Sequence, residues 1–269
     1  TWQVNDNLTI KNIASYGEFR EEFWLSIGGE RLLLTSGPNA GRSFPATIIR
    51  NAPGQYGAAQ STFTEEMQFQ GVAASGKLNW QAGVYFESSS PIKGGNTTLS
   101  VGGLDCIDPQ LYKCEALIPA ALGPALGLIK NYASFRNIGI YGQGTYIFTD
   151  KFAITAGLRY TMDRTVGYGG RLTMTFPTPN NPVGVCANPK ILPGVQHLDF
   201  DRCVSGPFIS DSKKPTWLID LEYKPLENVM IYAKYARGYR QGAVNASNIG
   251  LETWLPEKID AYELGAKTS

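Results

Sequence analysis

The chain has 269 residues, a formal net charge of +1, 43% hydrophobic and 12% aromatic residues, 30 glycines and a single histidine. That balance shows no basic excess for nucleic acid, and one histidine leaves little for His-based catalysis or a His-rich metal site. The longest apolar run, Ala116 to Ile129, packs two prolines and two glycines into 14 residues. It is too short and too broken for a membrane helix, and is expected to be a structured loop segment of one or two helical turns.

What organises the rest is a period of two. Thr1 to Val4 is a strand stub, followed after the turn Asn5 to Asn7 by Leu8 to Phe19, where Asn12 interrupts the alternation. After a long stretch at 21–60, Thr62 to Gln70 sets Phe63, Met67 and Phe69 on one side. Beyond the turn Ala73 to Gly76, Leu78, Trp80, Ala82, Val84 and Phe86 oppose Asn79, Gln81, Gly83, Tyr85 and Glu87. A second long stretch at 90–132 leads to Ile138–Thr149. The turn Thr149 to Asp150 then opens the clearest pattern: Phe152, Ile154, Ala156, Leu158, Tyr160 and Met162 against Thr155, Arg159, Thr161 and Asp163. A third long stretch, 167–213, precedes Trp217, Ile219, Leu221 and Tyr223, which oppose Thr216, Asp220, Glu222 and Lys224. After the turn Pro225 to Asn228, Val229, Ile231, Ala233 and Tyr235 oppose Met230, Tyr232, Lys234 and Ala236. The stretch 242–256 separates these from Ile259 to Thr268.

About eight strands and the stub emerge, joined by short turns that alternate strictly with long Gly-, Pro- and Asn-rich loops. A strand tilted across a bilayer needs about 9 to 11 residues, and ordinary domains rarely carry structureless loops beyond about 12 to 15. Outer-membrane barrels place short turns in the periplasm and long loops outside. The fold class is therefore all-β: an antiparallel transmembrane β-barrel segment, its strands paired in chain order. Val84, Ile154, Leu158, Ile219, Leu221 and Ile231 are expected on the convex side, with Gln81, Thr155, Arg159, Asp220 and Glu222 on the concave side. A soluble β-protein would instead bury the apolar set.

The four cysteines fall in two long loops. Pairing of Cys106 with Cys114 and of Cys186 with Cys203 is the simplest connectivity and fits an oxidising compartment; Cα separations of about 4.4 to 6.8 Å are expected. A metal site is the rival, poorly supplied by the lone His197 and by spacings that lack Cys-x-x-Cys. A hydrolase would have to use His197 beside Asp199 as its base, and nothing sets a serine against them.

Three motifs carry a family resemblance: IYGQGTYIFTDKFAITAGLRYTMD from Ile140 to Asp163, VMIYAKYARGYRQGAVN from Val229 to Asn245, and LPEKIDAYELGAKT from Leu255 to Thr268. A fainter echo is TFTEEMQFQG with KLNWQAGVYF, from Thr62 to Phe86. In this order they resemble the barrel of TonB-dependent outer-membrane receptors of the iron and siderophore type. The resemblance implies a barrel of about 22 strands, of which residues 1–269 form an internal part with the plug domain absent. It implies a location in the outer membrane, and import of a ferric siderophore or other scarce ligand with energy from a TonB complex engaged through an absent N-terminal region. The partners it implies are that ligand, the plug of the same full-length chain, and outer-membrane lipid with lipopolysaccharide. It calls for neither a cofactor nor a resident metal. A passive porin-type channel is the alternative.

Arg237, Tyr239 and Arg240 are the candidate ligand-binding residues, because alternation carries them above the apolar band and arginine with tyrosine suits an anionic, aromatic ligand. Contact with lipopolysaccharide phosphates is the competing role. Trp80, Trp217, Phe148, Phe152 and Tyr223 are expected in interfacial girdles. Lys234, Arg159, Asp163, Asp220 and Glu222 are expected to pair across strands or touch the plug.

Overall fold

The structure is a computed structural model that describes residues 1–29, 31–92, 95–109, 111–187 and 200–268. His197 and Asp199 lie outside the described residues. Nine strands form a single wall: β1 (Trp2–Asn5), β2 (Leu8–Glu21), β3 (Ala58–Ala73), β4 (Leu78–Pro91), β5 (Ala125–Thr149), β6 (Phe152–Thr178), β7 (Val204–Leu226), β8 (Val229–Arg240) and β9 (Glu257–Thr268). They neighbour one another in chain order, and every pairing between them is antiparallel.

The barrel is not closed. One edge of β9 is unpaired among the described residues, and lipid cannot satisfy an open backbone edge.

The long loops differ from their expectation as structureless stretches. β5, β6 and β7 run for 25, 27 and 23 residues, roughly twice a bilayer crossing, so the wall continues far beyond any membrane. Four further strands join the sheet from the loops: Trp24–Ile27, Thr47–Arg50, Asn96–Gly102 and Asn181–Cys186. Asn96–Gly102 pairs with Ala125 to Asn131 of β5 and on its other edge with Thr47–Arg50, so two loops distant in sequence extend one ladder. Ala116 to Ile129 divides into a single 3-10 turn at Ala120–Leu122 and the first residues of β5. Its prolines confine the turn, and the β-propensity of the apolar residues after Pro124 is realised by pairing on both sides.

The register of the wall sets its two faces. Rows such as Ala156–Ile219–Tyr235–Tyr262 and Ile154–Leu221–Ala233–Leu264 run across four strands. The face they belong to is open: Val84 is 45%, Leu158 59% and Ile219 47% exposed. A soluble sandwich would have sealed this face; hydrocarbon is the medium that suits it. Aromatic rings gather towards its turn end, where Phe148 packs on Tyr146 and Phe152 at centroid distances of 4.7 and 5.7 Å.

Above the open face the chain builds a conventional core. Leu99, Val101, Leu126, Leu172, Met174 and Phe176 are buried together, under the hairpin Leu104–Asp108/Lys113–Ala116 and the 3-10 turn Phe200–Cys203. Both bridges close here. Cys106–Cys114 spans the hairpin with Cα atoms 4.0 Å apart, and Cys186–Cys203 has a Cα separation of 5.1 Å. The first separation is shorter than the expected span because the two residues are directly opposed in the hairpin register.

Candidate functional site

The opposite, polar face carries a connected set of long side chains at the upper end of the bilayer-length segment. Arg159 of β6 lies across from Tyr141 of β5, and Tyr141 across from Gly83 of β4. The Arg159 guanidinium carbon stands 5.4 Å from the Tyr85 ring centroid and 5.9 Å from that of Tyr141, close enough for cation–π attraction to both. Its Nε donates to Thr161 Oγ1 at 3.0 Å. Tyr141 donates to Glu66 Oε1 at 2.7 Å and accepts from Gln81 Nε2 at 3.2 Å, while Tyr85 donates to Glu87 Oε2 at 2.9 Å.

Glycine makes this possible at two points. A Cβ on Gly139 would come within 2.4 Å of Arg159 Nη2, and one on Gly83 within 2.7 Å of the Tyr141 hydroxyl. Both long side chains therefore lie flat against neighbouring backbone.

Beside this set sits Asp163, only 6% exposed. Its carboxylate accepts hydrogen bonds from Asn137 Nδ2, from the Tyr239 hydroxyl, and from Ser212 Oγ at 3.4 Å. Donors from three strands thus satisfy a charge that burial would otherwise penalise. The two groups border a groove of about 770 Å³. It offers a planar cation, phenols, amides and carboxylates, a surface suited to hydrogen-bonding a polar ligand or a second domain. Among the described residues no group of three or more His, Cys, Asp or Glu is placed to hold a metal.

The three rim candidates do not form one cluster. Tyr239 reaches the polar face through Asp163. Arg237 is on the apolar face, where it makes two hydrogen bonds to Asp260 at 2.6 and 2.7 Å and lies 4.7 Å from the Trp217 ring centroid. Tyr235 donates to the same Asp260 and stacks on Tyr262 with centroids 4.9 Å apart. Arg240, at the end of β8, is exposed and opposite Glu257. Sequence reading placed Arg159 and Asp163 on the polar face but did not find Tyr85, Tyr141 and Glu66 beside them. The usable signal was glycine on a polar face, at Gly83 and Gly139, where a larger residue is displaced by a neighbour's side chain.

An open antiparallel wall with one hydrocarbon-suited face, one polar face and strands that run far past a bilayer's width has the architecture of part of a membrane β-barrel. The family model for TonB dependent receptor-like beta-barrels matches residues 1–269, and the chain belongs to that family. It is a family of outer-membrane transport receptors rather than of enzymes. No curated protein matches the sequence. Among solved structures the chain is similar to the ferric yersiniabactin uptake receptor FyuA from Yersinia pestis, with a TM-score of 0.56 and 14% identity. The match covers 99% of this chain and 32% of that one. At that identity the likeness is one of fold, and the chain spans about a third of the neighbour's length.

Proposed function

We propose that this chain is part of the wall of a receptor that imports a scarce ligand, a ferric siderophore or another iron complex, with energy supplied through a TonB complex. The family match over the whole of residues 1–269 carries this reading. The parent protein supplies the plug, which sits against the polar face near Arg159 and Asp163, while lipid and lipopolysaccharide cover the apolar face. Arg240, exposed and free of a carboxylate within ion-pair distance among the described residues, is the proposed ligand contact at the mouth, with Tyr239 beside the groove. Arg237, held by Asp260 on the apolar face, also lines the groove beside Tyr239 and is the third proposed contact.

The test is uptake of radioactive iron, offered as ferric siderophores, by iron-starved cells carrying the parent gene, lacking it, or lacking TonB. Uptake should require both. Uptake that depends on the gene and persists without TonB would make the barrel a passive pore. In the parent receptor Arg240→Glu should weaken surface capture of an anionic siderophore by about tenfold or more. Lys224→Glu, at the opposite end of its wall strand, should leave capture unchanged.

A further inference from the structure

The apolar face changes character along one row of the ladder. In that row Ser88 pairs with Arg136, Arg136 with Arg164, and Arg164 with Asp211. The second row towards the turns holds Phe86, Ile138, Met162 and Lys213, on the same face because two residues separate the rows along each strand. Arg136, Arg164, Asp211 and Lys213 are all exposed.

Two arginines directly opposite one another across an antiparallel pair repel. Asp211 lies 3.4 Å from Arg164 Nη1, but no carboxylate of the described residues is within ion-pair distance of Arg136 or Lys213. Elsewhere the chain neutralises such a conflict: Asp105 and Glu115 are directly opposed in the disulfide hairpin, and Arg42 binds both. Among the described residues no carboxylate bridges Arg136 and Arg164 in this way. The position of the pair is also particular. Beyond it the same face of β5 and β6 is sealed by protein at Leu126, Leu172 and Met174; towards the turns it is open at Ile140 and Leu158. Between the row and that seal the face is still open, with Tyr168 41% and Ile209 43% exposed. The depth follows instead from position: Arg164 lies just past the about 9 to 11 residues that a strand beginning at Phe152 needs to cross a bilayer, at the level of a lipid headgroup.

We propose that Arg136, Arg164 and Lys213, with the Ser88 hydroxyl, hold the phosphate of a phosphorylated outer-leaflet lipid whose acyl chains run down over Phe86, Ile138 and Met162. A phosphate between the two guanidinium groups accepts paired hydrogen bonds from each and removes their repulsion. The inference rests on the membrane reading of the wall. It adds a site on the outside of the barrel, separate from the groove and the rim.

The experiment is native mass spectrometry of the detergent-purified parent receptor titrated with a phosphorylated glycolipid and with the same glycolipid after dephosphorylation. Wild type should retain the phosphorylated form about tenfold or more better. The double variant Arg136→Gln/Arg164→Gln should lose that preference while binding the dephosphorylated form as before. Lys151→Gln, a cation at the opposite end beside β6, should behave as wild type. Equal outer-membrane abundance of the variants checks folding. An unchanged preference in the double variant would overturn the proposal, as would release of the lipid by inorganic phosphate alone, which marks an ordinary anion site. A receptor recovered soluble without detergent would sink the membrane reading itself.

Discussion

β6 contains two different structures in one strand. In its lower half, from Phe152, apolar side chains face out with nothing of this chain over them, and Leu158 is 59% exposed. In its upper half Leu172 and Met174, on the same side of the ladder by register, are 0% exposed. Between them burial changes phase: alternate residues from Thr161 to Gly169 are buried on the polar side, then alternate residues from Gly170 to Phe176 on the other. The first covering comes from residues after β8, with Val244 against Gly167 and Ala246 against Gly169. The second is the disulfide hairpin with Cys203. One alternating pattern therefore serves two media. The lower half depends on being free of charge towards lipid, whereas the upper half depends on close packing against protein.

That contrast can be broken by truncating one leucine in each half. Leu172→Ala removes a fully buried side chain and should destabilise the upper layer by about 2–5 kcal/mol, seen as early proteolysis of the 96–116 and 181–203 segments. Leu158→Ala leaves no enclosed cavity and should change that layer's protease resistance little. Equal sensitivity at both sites would mean that the lower face is packed against protein too.

Charge should reverse the ranking. Ile219→Arg places a guanidinium on the apolar face near mid-membrane, at a cost of about 2–4 kcal/mol for a lipid-facing position. Thr155→Arg lies on the polar face opposite Asp220, where a cation has a partner. Folding yield into vesicles should fall for the first and hold for the second. Similar losses would show that the faces are not distinguished by lipid.

The bridges sharpen the picture of the upper half. Cys186–Cys203 closes a separation of 17 residues and Cys106–Cys114 one of 8. Each should contribute about 2–4 kcal/mol, the longer loop slightly more. Paired Cys→Ser variants should therefore lower the protease resistance of the upper layer in that order, with strand content in the lower wall unchanged.

How much of this was legible follows from the same physics. Strands β3 to β8 announce themselves wherever apolar and polar residues alternate over a bilayer length. Gly167, Gly169 and Gly170 hide the continuation of β6, because a glycine takes either side of the period. They are there to admit Val244, Ala246 and the Cys203 backbone. The pairing of Asn96–Gly102 with Thr47–Arg50 depends on contacts that local pattern does not encode. The rim shows the same limit: alternation separates Arg237 from Arg240, but only register brings Arg237 to Trp217 and Asp260. Tyr239 reaches Asp163 across 76 residues of sequence.

The smallest expected effect lies in the latch that holds the upper half together from a third loop. Arg42 donates to Asp105 Oδ2 at 2.9 Å and to Glu115 Oε1, and the Glu115 hydrogen bond, ahead of that from Asp105, raises its pKa above the ordinary arginine value. The latch therefore does not switch off by loss of the arginine's proton. The neighbouring turn adds one contact, Asn39 Nδ2 to the Leu117 carbonyl at 3.0 Å. All three charges are more than a third exposed, so solvent screens the attraction. Arg42→Gln should leave the wall and both disulfides intact. It should, however, expose the opposed Asp105 and Glu115 to each other and quicken amide exchange in the 104–116 hairpin at low salt. Added salt screens that repulsion, so the difference from wild type should shrink as ionic strength rises. A difference that persists undiminished in high salt would locate the latch in the Asn39 contact and the packing of the arginine stem rather than in charge.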